Sequence, residues 1–424
     1  MPLNLTEVRT QFPFLREKGI VYLDSAASAQ KPEAVITAMD VFLREDFSNV
    51  HRGMYPRSER ATKAYEDARE TMQHFFGAAH SDEIVFTKNA TEAINLVARS
   101  WGKSTLKKND VVVLSILEHH SNIVPWLQLK EQIGIELQWV KIDEQGQWDM
   151  DHLKSILKTH RVKLVTVTGQ SNVTGVRPPL KEIIEESHNT GALVCIDAAQ
   201  LAAHHPIDVV QLDCDFLAIT GHKIYGPTGV GVLYGKRKLL AAMPPFLGGG
   251  MMIREVKKSG FLPADAPEKF EAGTPPIVEA VGLAAAIHWL GQYSWNDIEE
   301  HESRLLKVAH ETLEDISGLH ILGHIEEKTN NQQLTTMNLS SGCLSFTIDG
   351  IHPHDLCDLL GEENICLRAG HHCAQPLHDH LGIAASARLS FGIYTTEEEV
   401  QMVGPAIVRA MKRLQGESNS RVTE

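Results

Sequence analysis

The sequence predicts an α/β protein: a large unit built on a mostly parallel sheet covered by helices, joined to a smaller α+β unit. Three observations carry this. Between residues 84 and 203, short β-branched runs alternate with amphipathic stretches, and runs that are apolar at every position belong to strands buried on both faces. The pattern changes after Trp295, where charged helical stretches and isolated strands follow in α+β style. A chain of 424 residues with 43% apolar content can also bury one large core or two unequal ones.

Taken in order, the first twenty residues read as a short helix followed by a brief apolar run at 20–23 that enters Asp24-Ser-Ala-Ala-Ser28. Apolar residues at helical spacing (Val35, Ile36, Met39, Phe42, Leu43) predict a helix over 32–47. A polar loop then precedes a charged helix over 58–76. Strands are expected at 84–87, 111–114, 136–140, 164–168 and 192–196, separated by helices near 91–101, 119–132, 150–158 and 181–190. Two more apolar strands, 216–219 and 230–234, flank a Gly/Pro-rich turn. The polar stretch 248–270 exceeds an ordinary connection and reads as functional or mobile. Helices follow at 276–290 and 297–317. Strands are expected at 335–339, 344–348 and 365–368, with helices at 354–360 and 396–414 and a frayed tail from 416. The large unit is placed at 20–294, and the small one at 1–19 with 295–424.

The 40 basic and 54 acidic side chains leave a net charge of −14, which argues against sequence-independent nucleic-acid binding. No apolar run reaches eighteen residues, and the first residues lack the pattern of a secretory signal, so neither membrane span nor export is expected. Six cysteines show no Cys-x-x-Cys and no paired framework, which points to a reducing, cytoplasmic setting.

In a parallel sheet, ligands bind beyond the carboxyl ends of the strands, which directs attention to Thr91, His119, Asn172, Asp197 and Lys223. Lys223 lies at the mouth of the turn after 216–219; it is either a solvated lysine capping a hairpin or a desolvated nucleophile able to form a Schiff base. Asp197 either caps the turn after its strand or pairs with a buried cation such as a pyridinium nitrogen. His119, beside His120, could stack on a flat cofactor and move protons, and adjacent histidines make a poor metal shell, so no metal is expected. Thr91 has the character of an N-cap at a helix start that could receive a phosphate. Cys373 stands on a Gly/His/Pro loop where Arg368 and any protonated histidine would favour the thiolate. Arg388 is a lone charge in an apolar strand, suited to a substrate carboxylate or to a structural ion pair.

Together, Thr220-Gly-His-Lys-Ile-Tyr-Gly-Pro, Ile196-Asp-Ala-Ala-Gln200, Glu118-His-His-Ser-Asn-Ile-Val-Pro-Trp126 and Phe270-Glu-Ala-Gly-Thr274 resemble the pyridoxal phosphate (PLP) enzymes of fold type I in the class V aminotransferase family, specifically the cysteine desulfurases. Arg368-Ala-Gly-His-His-Cys-Ala374 and Tyr22-Leu-Asp-Ser-Ala-Ala-Ser28 resemble the SUF-type subgroup, and the likeness runs from about residue 8 to 413. It implies a seven-stranded-type sheet, a homodimer, and a reaction that converts L-cysteine to L-alanine with a persulfide on Cys373. The persulfide would pass to an acceptor protein for Fe–S cluster assembly. It also implies that Lys223 holds PLP as a Schiff base, Asp197 pairs with the ring nitrogen, Gln200 with the ring oxygen, and His119 stacks on the ring. Thr91, Thr220 and His222 would hold the phosphate, with Thr274 contributed across the dimer interface. Arg388 and Asn172 would hold the substrate carboxylate.

Two departures from the family pattern stand out. Lys88-Asn-Ala-Thr91 has Lys-Asn-Ala where relatives often have Arg-Gly-Thr, and Thr220 replaces a usual serine but keeps the hydroxyl. His354, 19 residues ahead of Cys373 in His352-Pro-His354-Asp355, resembles the histidine that some members offer to a zinc-bearing, scaffold-like acceptor; otherwise it is an exposed residue at a helix start. A selenocysteine lyase or another β-eliminating PLP enzyme would share every PLP contact. A nucleotide-binding module is suggested only by Gly226-Pro-Thr-Gly-Val-Gly231, which leads into a strand and not a helix.

Overall fold

Runs such as Val111-Val-Val-Leu114, apolar at every position, become strands only where both faces can be covered. The computed structural model describes residues 3–17, 19–142, 146–323 and 342–420. After a two-residue strand β1 (Val21–Tyr22) come β2 (Ile84–Thr87), β3 (Val111–Ser115), β4 (Glu136–Val140), β5 (Val162–Thr168), β6 (Leu193–Asp197), β7 (Phe216–Thr220) and β8 (Gly231–Gly235). The last seven form one sheet in the order β2-β8-β7-β6-β5-β3-β4. All run the same way except β8, which is antiparallel to both neighbours. Every residue of β2, β3, β7 and β8 is buried, whereas β4 at the edge is half-exposed.

Successive residues serve opposite faces, as the period of a strand requires. Val111, Val113, Leu217 and Ile219 pack with Tyr65, Met72 and Leu283, from the helices Pro56–Phe76 and Ile277–Leu290. Val112, Phe216 and Ala218 pack with Ile94, Trp126 and Leu129 on the other side. Each such side chain removed from water contributes about 1.5–3 kcal/mol. Among the described residues, no helix is long and apolar enough to cross a membrane.

A second core gathers Leu305, Leu344, Phe346, Leu389 and Ile407. Its antiparallel sheet, β11 (Leu319–Ile321), β12 (Cys343–Ile348), β14 (Arg368–Gly370) and β15 (Ser386–Ser390), runs β11-β12-β15-β14. The intervening strand β13 (Ile365–Cys366) pairs in parallel with β1.

Several elements differ from the expectation. The placement of 1–19 with the small unit and of 20–23 with the large one reverses in the structure. Phe12 meets Trp289 and Tyr394 edge-on, with centroids 5.2 and 4.7 Å away, and joins the large core with Val8. Val21 and Leu23 join the small core, because Val21 pairs with Ile365. Within the polar stretch 248–270, β9 (Ile253–Lys257) and β10 (Gly260–Pro263) form an antiparallel hairpin that a composition-based reading misses. The expected last helix is two, Glu397–Gln401 and Val403–Ser420, the second running on through the start of the expected frayed tail. The strand expected at 335–339 lies outside the described residues.

Gly231, at the start of β8, permits one close approach on which the site depends. A Cβ there would stand 2.5 Å from the Cα of Asn89 and 2.7 Å from the carbonyl oxygen of Ile219. Both are backbone atoms that cannot turn away. Gly231→Ala is therefore expected to lower the unfolding free energy by about 1–3 kcal/mol in a denaturant titration, although glycine-to-alanine changes in strands ordinarily help.

Candidate active site

The carboxyl ends of β3, β5, β6 and β7 open on one cavity of about 270 Å³. β4 lies outside β3 while β5 takes its other side, so the strand order reverses between β3 and β5, the position where such sheets bind ligands. His119 follows β3, Asn172 follows β5, Asp197 ends β6 and Thr220 ends β7; Lys223 occupies the 3₁₀ turn Gly221–Lys223. These residues line the cavity together with Thr91, Gln200, His222, Cys373 and Arg388. Thr274 does not: it is exposed and borders a separate hollow with Phe86, Lys88 and Glu271. His354 is also outside, exposed in the first turn of the helix Pro353–Glu362.

Asp197 is only 4% exposed. Burial pushes its pKa up, while the Ala199 N–H (3.0 Å to Oδ1), Lys223 and the Ser121 hydroxyl (3.3 Å to Oδ2) oppose the rise. Burial lowers Lys223 to about 8 against the attraction of Asp197, and Arg388 lowers it further. His119 falls to about 3, first through burial and then through Lys223, His120 and Arg388, so the ring is neutral. The backbone N–H of Ser121 donates to its Nδ1 at 3.1 Å, which places the ring hydrogen on Nε2. Behind it Glu118, fully buried, is raised to about 8 by desolvation although Asn122 and Ser115 donate to its two oxygens at 2.6 and 2.8 Å.

Helix-start geometry differs from the expectation at Thr91. The cap is Asn89, whose side chain accepts the Glu92 N–H at 2.9 Å, and Thr91 stands in the first turn of the helix Ala90–Leu96. Gln200 donates to the Ala26 carbonyl at 2.8 Å, and the Thr220 hydroxyl is buried with no partner among the described residues.

Arg388, 2% exposed, makes a structural ion pair, one of the two readings its sequence left open. Nη1 donates to the Asn172 carbonyl at 2.8 Å and Nη2 reaches Asp24 at 3.2 Å, while Nε is buried without a partner among the described residues. Asp24 also accepts from Nε and Nη2 of Arg368 at 3.1 Å, so one carboxylate serves two guanidinium groups.

Cys373 is exposed, between β14 and the helix Gln375–His380. His372 and Cys373 both adopt left-handed backbone, with φ of 49° and 56°, a conformation that costs a non-glycine residue about 1–3 kcal/mol. Contacts from the large unit hold them there. Asn172 Nδ2 donates to the His372 carbonyl at 2.6 Å, and the His120 N–H donates to the Cys373 carbonyl at 2.7 Å. The expectation that protonated histidines favour the thiolate needs correction: burial depresses His119, His120 and His372, the last to about 2. Lys223 and Arg368 are cations on the same cavity wall as Cys373. Sequence reasoning overlooked Asp24, Asn89, Glu118 and Ser121. Asp24 carried the clearest signal, a carboxylate directly after an apolar run that would need cationic partners.

Comparison with known proteins agrees with this architecture. Residues 21–403 match the family described as Aminotransferase class-V, and the chain belongs to it. A probable cysteine desulfurase of Vibrio cholerae is 40% identical over 98% of this chain and all of its own length. The crystal structure of the Escherichia coli cysteine desulfurase CsdA, in an S-sulfonic acid form, superposes with a TM-score of 0.88 at 40% identity, covering 97% of this chain and 99% of that one. The apo structure of cysteine desulfurase from Thermococcus onnurineus gives 0.89 at 35% identity over 97% and 99%. Within its family, the chain groups with the cysteine desulfurases.

The lowered pKa of Lys223 has a direct consequence. At pH 7 about one such amine in ten is unprotonated, against about one in three thousand for an unshifted lysine. In the cofactor-free chain, trinitrophenylation of Lys223, followed by peptide mapping, should accelerate with pH up to about 8 and then level off. Exposed lysines should continue to accelerate well beyond that.

Proposed function

We propose that this chain takes the sulfur from L-cysteine, leaves L-alanine, and carries the sulfur as a persulfide on Cys373, using PLP held by Lys223. One observation carries the reading: Lys223 and Cys373, 150 residues apart in sequence, stand on the wall of a single cavity. The class V family to which the chain belongs is PLP-dependent, and the residues present fit that cofactor. The Thr220 hydroxyl, buried without a partner among the described residues, is one that a phosphate oxygen would satisfy, with Thr91 and His222 beside it on the cavity wall. Asp197 is the buried carboxylate that a protonated pyridine nitrogen needs. Gln200 would meet the ring oxygen and His119 would stack on the ring. Thr274, outside its own chain's cavity, would complete the phosphate site of a partner in a homodimer.

Bound PLP supplies an electron sink for the pair released at the substrate α-carbon. Lys223, with its lowered pKa, takes the α-proton as the free amine and returns it as the ammonium. Arg388, through its unpartnered Nε, and Asn172 orient the substrate carboxylate. Neutral His119 moves protons through its Nε2 hydrogen. The Cys373 thiolate attacks the substrate sulfur: an S–S bond forms, the C–S bond breaks, and its electron pair stays on carbon, which is protonated to the methyl group of alanine.

The persulfide then goes to an acceptor protein for Fe–S cluster assembly, as in the SUF-type subgroup whose motif Arg368–Ala374 resembles. His354 supports a zinc-bearing, scaffold-like acceptor: it is exposed, its ring stacks on His352 at 5.0 Å, and it lies beside Gly370, three residues ahead of Cys373. Six free cysteines are in keeping with a reducing, cytoplasmic setting.

Borohydride reduction followed by peptide mapping should place a pyridoxyl group on Lys223; any other position would overturn the scheme. Cys373→Ala should reduce alanine formation from cysteine by on the order of a hundredfold or more, with the cofactor absorbance kept. Retained turnover would indicate a β-eliminating lyase instead. His354→Ala should slow persulfide transfer to a zinc-bearing acceptor without changing persulfide formation.

A further inference from the structure

A chain of hydrogen bonds closes around Cys373 and uses none of the residues assigned above to cofactor or substrate. The Ala374 carbonyl, which can only accept, lies 3.0 Å from Nδ1 of His378, so that nitrogen carries the ring hydrogen. With that hydrogen on Nδ1, the neutral ring accepts at Nε2, and burial lowers the pKa of His378, which favours the neutral form. The hydroxyl of Ser386, on β15, lies 3.0 Å from that Nε2 and donates to it. The same oxygen, 3.1 Å from Nε2 of His372, therefore accepts from His372. Every hydrogen in the relay is assigned: His372 to Ser386, Ser386 to His378, His378 to the Ala374 carbonyl. Its two ends are the residues that flank Cys373.

The relay is buried throughout: Ser386 is 0%, His378 1% and His372 8% exposed. The ring of His372 is thereby tied to a sheet strand while its backbone holds a left-handed conformation. The large unit grips this loop at the His372 and Cys373 carbonyls, and His120 Nε2 accepts the Gln375 N–H at 3.1 Å. Within the small unit, the relay ties the loop's side chains to the sheet.

We infer that Ser386 and His378 are positioning residues for the thiol of Cys373: through His372 and Ala374 they fix the left-handed turn from which that thiol meets the substrate sulfur. The inference rests on Cys373 being the sulfur acceptor, as proposed above. Neither residue touches the reacting atoms, and each acts through a neighbour of Cys373.

The test uses the full-length cofactor-loaded protein with Ser386→Ala, His378→Phe (which keeps ring volume should the serine variant fold poorly) and the double variant. Three quantities are read: iodoacetamide alkylation of Cys373 before cysteine is added, kcat and KM for L-cysteine, and the thermal midpoint. Each single variant should change the alkylation rate by about threefold or more. Each should lower kcat by on the order of ten- to a hundredfold, the size expected when a reacting group is misplaced by a fraction of an ångström to one ångström. KM and cofactor absorbance should stay within about twofold, and the double variant should be no worse than either single, because one relay is broken in all three. Unchanged alkylation and kcat overturn the inference, as do losses that multiply in the double variant or that follow a falling midpoint and cofactor loss. Altered alkylation with unchanged kcat overturns the role of Cys373 instead, since the relay would then hold a thiol that the reaction does not use.

Discussion

Desolvation at the carboxyl ends of the main sheet sets the chemistry of the cavity. The strands there are buried on both faces, so whatever charge stands at their ends has little water to screen it. Asp197 rises, Lys223 falls to about 8, and His119 falls until it is neutral, all with burial as the leading cause. A lysine in that state is a usable amine near neutral pH, and a buried carboxylate beside it needs a cation. The sheet therefore creates a demand for a cation at Asp197 and supplies a reactive amine at Lys223.

The second constraint is the seam between the two cores. Arg388 belongs to the small sheet, yet its guanidinium donates to the Asn172 carbonyl of the large unit. Asn172 in turn donates to the His372 carbonyl on the Cys373 loop. Asp24, between β1 and the first long helix, balances Arg368 and Arg388 together. The residue expected to bind the substrate carboxylate and the loop carrying the thiol are thus bonded to the same asparagine. Any movement of one is felt by the other over a single residue.

Much of this was legible in the sequence. Continuous apolar runs announced the parallel strands; Lys223, Asp197 and His119 drew attention as charged or nucleophilic residues at strand ends, and Arg388 as a lone charge within an apolar strand. What escaped was long-range or local in a way composition does not record. Phe12 reads as an ordinary apolar residue, and its contacts with Trp289 and Tyr394, with Val8 beside it in the same core, reveal that the N-terminal segment packs on the large core. The hairpin at 253–263 was hidden by its polar surface. Ser386 and His378 carry no motif of their own, and their meaning comes from distances to residues on either side of Cys373.

By itself, the sequence determined the sheet, the lysine and the cysteine, because strand burial and nucleophile chemistry depend on residue type and immediate neighbours. Only the tertiary structure decided that Lys223 and Cys373 share one cavity, that burial depresses His119 and His372, and that Arg388 is engaged by both Asp24 and the Asn172 carbonyl. The reason is physical: pKa values and hydrogen-bond partners are set by what lies within a few ångströms in space, and for this site those neighbours come from β1, β3, β5, β6, β7, β14 and β15 at once.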